Sequence, residues 1–175
     1  MKKFKLTSEF IVDISGVKLF RIKALIEFGN VKAGDLGGYI EKEENLSHMG
    51  DAWVSDDARI SGNAQVFGNA QVFGDAQVFG DAWVFGNARV FGDAQVSGNA
   101  RVSGDKDYAY AHGFGSCNRT TTFFRLKDGD VGVRCGCFYG TLAQFRDKVC
   151  ETHGETKKAQ EYLMLADLME IRFKN

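Results

Sequence analysis

The 175 residues carry 22 Lys and Arg against 23 Asp and Glu, so a formal charge of -1 gives the chain no global field that would draw it onto nucleic acid. A 44% hydrophobic content excludes a disordered chain, and no apolar run is long enough to cross a bilayer as a helix. The Met1-Lys2-Lys3 start has the charge of a secretion signal but no apolar stretch behind it. A cytoplasmic protein is therefore expected, with Cys117, Cys135, Cys137 and Cys150 reduced and the Asn118-Arg119-Thr120 sequon unused.

From Lys3 to about Phe28, short apolar runs (Phe10-Ile11-Val12, then Val17 to Ile26) break at Ser15-Gly16 and predict a β-hairpin. Gly29-Asn30 and Gly34-Asp35-Leu36-Gly37-Gly38 follow as turn sequence. Tyr39-Ile40 and Leu46 predict an irregular lead-in coil, and two extra residues place a bulge or short loop at His48-Met49. Residues 1–49 form the first unit.

Residues 50–105 are a repeat. Val54, Ile60, Val66, Val72, Val78, Val84, Val90, Val96 and Val102 fall at one spacing of six, nearly all inside copies of Val-x-Gly-(Asn/Asp)-Ala-x. A short fixed period means a solenoid, in which stacked neighbours make the core that no single repeat can bury. The absence of proline agrees with turns built from Gly and Asn or Asp.

After Asp105 the period stops, and residues 106–175 predict a small α+β cap over the open end. Thr120 to Leu126 and Val131 to Phe138 flank Lys127-Asp128-Gly129-Asp130 as a two-stranded hairpin. Thr141 with Gln144 forms a capping box, so a helix should run from Leu142 to Gly154 and bury Leu142, Phe145 and Val149. A second helix, Thr156 to Phe173, carries Ala159, Tyr162, Leu163, Leu165, Ala166, Leu168 and Met169 and should be largely covered.

The repeat resembles the hexapeptide family of left-handed parallel β-helices. The resemblance implies a mainly β fold in which three units make one triangular coil, valines point inward and alanines fill the corners. Residues beside each inward valine then point outward, putting Phe67, Phe73, Phe79, Phe85 and Phe91 in a belt on all three sides. Such a belt calls for a covering surface: a partner, a second copy in a dimer or trimer, or the terminal units folding back. Residues eighteen apart stack, so Asp57, Asp75 and Asp93 share a corner at about 4.8 Å steps. Like charges that close need solvent, pairing or bridging, which makes the column a candidate cation site. Trp53 with Gln71 and Arg89, and Gln65 with Trp83 and Arg101, place aromatic groups near cations as further partner contacts.

Family acyltransferases use a histidine base, and family carbonic anhydrases three histidines, but the repeat contains none. His48 precedes it as a lone base, without an evident carboxylate partner; His112 and His153 follow it. Cys135-x-Cys137 with Cys117, Cys150, His112 or His153 lacks the usual zinc spacing. His112 to Ser116 resembles an anion-cradling glycine loop but lacks the third glycine and the strand-loop-helix context, and Arg119, Arg125 and Arg134 are candidates to converge on a phosphate, the latter two on a shared hairpin face. The run Gly34 to Glu41, then Glu44 to Ser47, then Gly50 to Val54, resembles phage and prophage hexapeptide-repeat proteins. Asn118 to Phe124, Cys135 to Phe138 and Glu151 to Gly154 resemble their C-terminal module. The expectation is a non-catalytic, cofactor-free phage binding scaffold that engages a host factor, a defence protein or its nucleotide signal, through its Phe belt and C-terminal cap. The alternative is an acyltransferase-like enzyme.

Overall fold

The computed structural model describes residues 1–174 and is a parallel β-solenoid of about four turns, with an antiparallel hairpin before it and a sheet with two helices after it. Strands β1 (Phe4–Val12) and β2 (Lys18–Ala24) form the expected hairpin, closed through Asp13, whose carboxylate accepts from the Ser15 and Val17 amides. Strand β3 (Leu36–Ile40) pairs antiparallel with β2 on one side and parallel with the coil on the other. Nine two-residue strands follow: β4 (Trp53–Val54), β5 (Arg59–Ile60), β6 (Gln65–Val66), β7 (Gln71–Val72), β8 (Gln77–Val78), β9 (Trp83–Val84), β10 (Arg89–Val90), β11 (Gln95–Val96) and β12 (Arg101–Val102).

Every third strand pairs, giving three faces: β3-β5-β8-β11, β4-β7-β10 and β6-β9-β12. The valine ladder and the corner alanines from Ala52 to Ala100 are wholly buried, as a coil too narrow for larger corner residues requires. Each corner turn needs a positive φ, and Gly80 (φ 70) lies so close to Gly98 that a Cβ would press on its backbone. The parallel stack starts earlier than the repeat: Ile40 pairs with Ile60 and Leu46 bridges Val66, so the lead-in is the first coil, with His48 and Met49 in its loop.

Both ends of the coil are plugged. Phe4 and Ile22 from the hairpin join the valine core at one end. At the other, β13 (Tyr108–Phe114), β14 (Arg119–Arg125), β15 (Val131–Cys135) and β16 (Phe138–Thr141) form an antiparallel sheet in chain order, four strands where two were expected. Alternation along β14 divides its work: Phe124 enters the coil core, while Phe123 enters a second core with Val133, Phe145, Tyr162 and Met169. Tyr110 and Tyr139 lie over the last corner glycines, Gly92 and Gly98.

Helix α1 (Leu142–His153) begins at the Thr141/Gln144 capping box, ends at Gly154 and buries Leu142, Phe145 and Val149. Helix α2 (Lys157–Phe173) is capped by the Thr156 hydroxyl. Its coverage is narrower than its composition suggests. Ala159, Tyr162, Ala166, Met169 and Phe173 are buried, but Met164, Leu168 and Ile171 face outward because only one side meets α1 and the sheet.

Candidate functional site

The five belt phenylalanines lie on all three faces of the coil and find neighbours within the chain. Phe67 and Phe85 stack one coil apart at 5.1 Å, and Phe73 and Phe91 at 5.2 Å. Phe91 also meets the edge of Tyr110, and Phe79 lies under the Arg134 guanidinium at 5.1 Å. The C-terminal sheet thus covers part of the β5-β8-β11 face. Trp53, expected outside, is only 4% exposed: Phe28 packs against it, and Gly37 passes so close to the indole that a Cβ would collide with it. Arg89 lies over Phe73 rather than Trp53.

The β6-β9-β12 face remains open. Trp83 is 39% exposed, holds the edge of Phe67 at 5.8 Å and carries the Arg101 guanidinium at 4.2 Å. Arg101 is itself held by the Asp81 and Ala100 carbonyls. This is a preset aromatic and cationic platform on a stiff sheet, of the composition that dominates binding interfaces.

At the N-terminal end of that face lies a cleft of about 610 Å³, lined by Glu43, Leu46, His48, Gln65 and Phe67 among others. His48 has the carboxylate partner that its sequence neighbourhood hid: Nε2 lies 2.7 Å from Glu43 Oε1. The Lys3 amide donates to Nδ1 at 3.1 Å, so Nδ1 is the acceptor and the proton belongs on Nε2, facing Glu43. With Phe4 stacked on the ring at 4.3 Å, both nitrogens and one ring face are engaged. Hydrogen bonds from Lys2 and then His48 hold the Glu43 carboxyl below the usual carboxylate range.

Lys3, whose amide holds His48, is buried, its ammonium donating to the Ala52 carbonyl at 2.7 Å and the Gly50 carbonyl at 3.2 Å. Burial pulls its pKa down from 10.5 to about 8, opposed by the charge of Asp51. Between those values the unfolded chain binds more protons than the folded one, so stability rises with pH. From pH 7.5 to 9.5 the urea-unfolding free energy of the wild type should gain about 2 kcal/mol relative to Lys3→Met, which lacks the group. Burial pushes the Tyr108 phenol up to about 12, which has the opposite effect above pH 10 and sets the upper limit of the useful window.

The three candidate arginines are not brought together. Arg125 donates to the Gly129 and Phe173 carbonyls on the helix side of the sheet, while Arg134 lies on the coil side over Phe79. The register pairs Arg125 with Val131 and Thr122 with Arg134, which puts the two arginines on opposite faces. Arg119 stands apart, exposed at the end of the sheet. The glycine loop is already filled by the chain's own groups: the Gly115 amide donates to the Glu161 carboxylate and the Ser116 amide to the Tyr162 hydroxyl. Asp57, Asp75 and Asp93 are exposed, and no three His, Cys, Asp or Glu side chains among the described residues gather as a metal site. The four cysteines are free thiols.

The family model described as the YdcK beta solenoid repeat matches residues 58–74 and 94–105, both within the coil. No curated protein matches the chain in sequence. The matched repeat agrees with the parallel β-solenoid seen in the structure.

Proposed function

We propose that this chain is a non-catalytic binding protein, a rigid solenoid that offers one aromatic face to a partner. The observation that carries this reading is the β6-β9-β12 face, where Trp83, Phe67, Phe85 and Arg101 are preassembled, while Phe79 lies under Arg134, Phe91 meets Tyr110, and Phe73 stacks on Phe91 beneath Arg89. The likeness of the Gly34 to Val54 run to phage proteins supports a phage origin, action in the host cytoplasm and a host defence protein as target. A nucleotide target has less support, because Arg119, Arg125 and Arg134 do not converge. Self-association into a dimer or trimer through the same face accompanies this reading.

Trp83→Glu tests it. Truncation or reversal of an aromatic anchor costs about 2 kcal/mol or more, so partner capture or self-association should weaken about thirtyfold. Phe79→Glu, placed under Arg134, should leave both unchanged. Sedimentation mass and capture of host protein are the readouts, and no change of either in Trp83→Glu overturns the proposal.

The acyltransferase-like reading draws on the Glu43 and His48 pair in the cleft of about 610 Å³. A general base needs a free lone pair, and the one on His48 is occupied by the Lys3 amide. His48→Ala is therefore expected to lower stability, through loss of the Phe4 stack and the Glu43 bond, with no acetyl-CoA binding in either protein. Acetyl-CoA binding by the wild type that the variant loses would favour the enzyme.

A further inference from the structure

The end of the C-terminal sheet leans over the β8-β11 side of the coil and leaves a groove of about 310 Å³ between them. Its floor carries Asp75, Gln77, Asp93 and Gln95, and its wall carries His112 and Arg119. Gln77 and Gln95 are register partners in adjacent coils. Asp75 and Asp93 repeat the same corner one coil apart, at about 4.8 Å. The Thr120 hydroxyl holds His112 against the wall at 2.8 Å. Gly136 (φ 57) clears the space through which the Arg119 guanidinium runs, since a Cβ there would collide with it.

Three charges meet in this groove without pairing. Among the described residues, Asp75, Asp93 and Arg119 take part in no ion pair. An anion alone would face two carboxylates, and a cation alone would leave Arg119 uncompensated. A bare metal ion finds no third ligand. The volume stands at the small end of the range for ligand pockets, and a junction between two packed units is where such pockets concentrate.

We propose that this groove binds a small zwitterion, with its ammonium or guanidinium between Asp75 and Asp93 and its carboxylate or phosphate against Arg119. The amides of Gln77 and Gln95 serve the polar middle of the ligand. The assignment is independent of the aromatic face and of any partner bound there.

The test is a ¹⁵N-resolved NMR titration of the intact chain with L-arginine and with phosphoethanolamine, and with agmatine as the analogue that lacks the carboxylate. The reporters are the Gln95 backbone amide, which donates to the buried Thr122 hydroxyl at 2.9 Å, and the Thr120 backbone amide. Saturable shifts with a Kd of about 1 mM or tighter are expected for at least one zwitterion. The one that binds identifies the anionic group as carboxylate or phosphate. Arg119→Met should weaken that zwitterion about tenfold and leave agmatine bound as tightly or more tightly, since a like charge is removed, while Asp93→Asn should weaken both. Both side chains are exposed, so melting of the variants should match the wild type. The absence of saturable shifts for both zwitterions overturns the proposal. So does binding that Arg119→Met leaves intact, or agmatine binding as tight as that of L-arginine.

Discussion

Val84→Asp should abolish the cooperatively folded coil. Val84 is wholly buried between Val66 and Val102 in the stack, with no polar group of the core to receive a carboxylate. The variant loses about 1.5 to 3 kcal/mol of side-chain burial and adds a desolvation cost of several kcal/mol for an unpaired charge. A domain stable by about 5 to 15 kcal/mol cannot absorb much more than this. Val84→Thr keeps the shape and adds only a hydroxyl, so its cost should be about 1 to 3 kcal/mol. Urea unfolding followed by circular dichroism separates the two: a shifted but complete transition for Val84→Thr, and none for Val84→Asp. A folded Val84→Asp protein would mean that the coil interior admits water.

Phe124→Ala is expected to cost about 3 to 5 kcal/mol, the range for deleting a buried aromatic ring. Phe124 is wholly buried where the sheet meets the last coil, with Tyr108 beside it in the same core. Its loss opens the end of a stack whose final rungs have no further coil to pair with. Amide exchange in β11 and β12 should accelerate far more than in β4 or β5. Phe123→Ala removes a ring of the same size from the helix-side core, so it should be comparably costly yet leave β11 and β12 protected. Equal acceleration along the whole coil in Phe124→Ala would show that the solenoid opens as one unit, with no separate sealing by the sheet.

The parts that were legible in sequence are those where local chemistry and long-range packing ask for the same residue. The valine ladder served both the turn period and the core, and Thr141 with Gln144 marked the start of α1 to the residue. The parts that were not legible depend on pairing between distant segments. Strand β13 alternates Tyr and Ala, a half-buried pattern that only its pairing with β14 completes. Strand β16 is short and holds a glycine, so its own sequence gives little sign of a strand. The separation of Arg125 from Arg134 followed from register, which the hairpin loop sets and where a one-residue difference exchanges the faces. The burial of Trp53 depended on Phe28 and Gly37, each from a different turn of the chain. The bonding of His48 depended on Lys3, which immediately precedes the first strand and lies 45 residues away in the chain.

Because the C-terminal sheet is seated beside the β8-β11 side of a three-sided rod, the number of repeat units also fixes the bearing of that sheet about the rod axis. Deleting a whole turn, eighteen residues, would shorten the rod by about 4.8 Å and keep the sheet aligned with the hairpin. Deleting a single unit of six would swing it by about a third of a revolution and seat it over a different flank. Chain length between the two plugs therefore acts as an angular gauge, and natural variants should gain or lose length in whole turns.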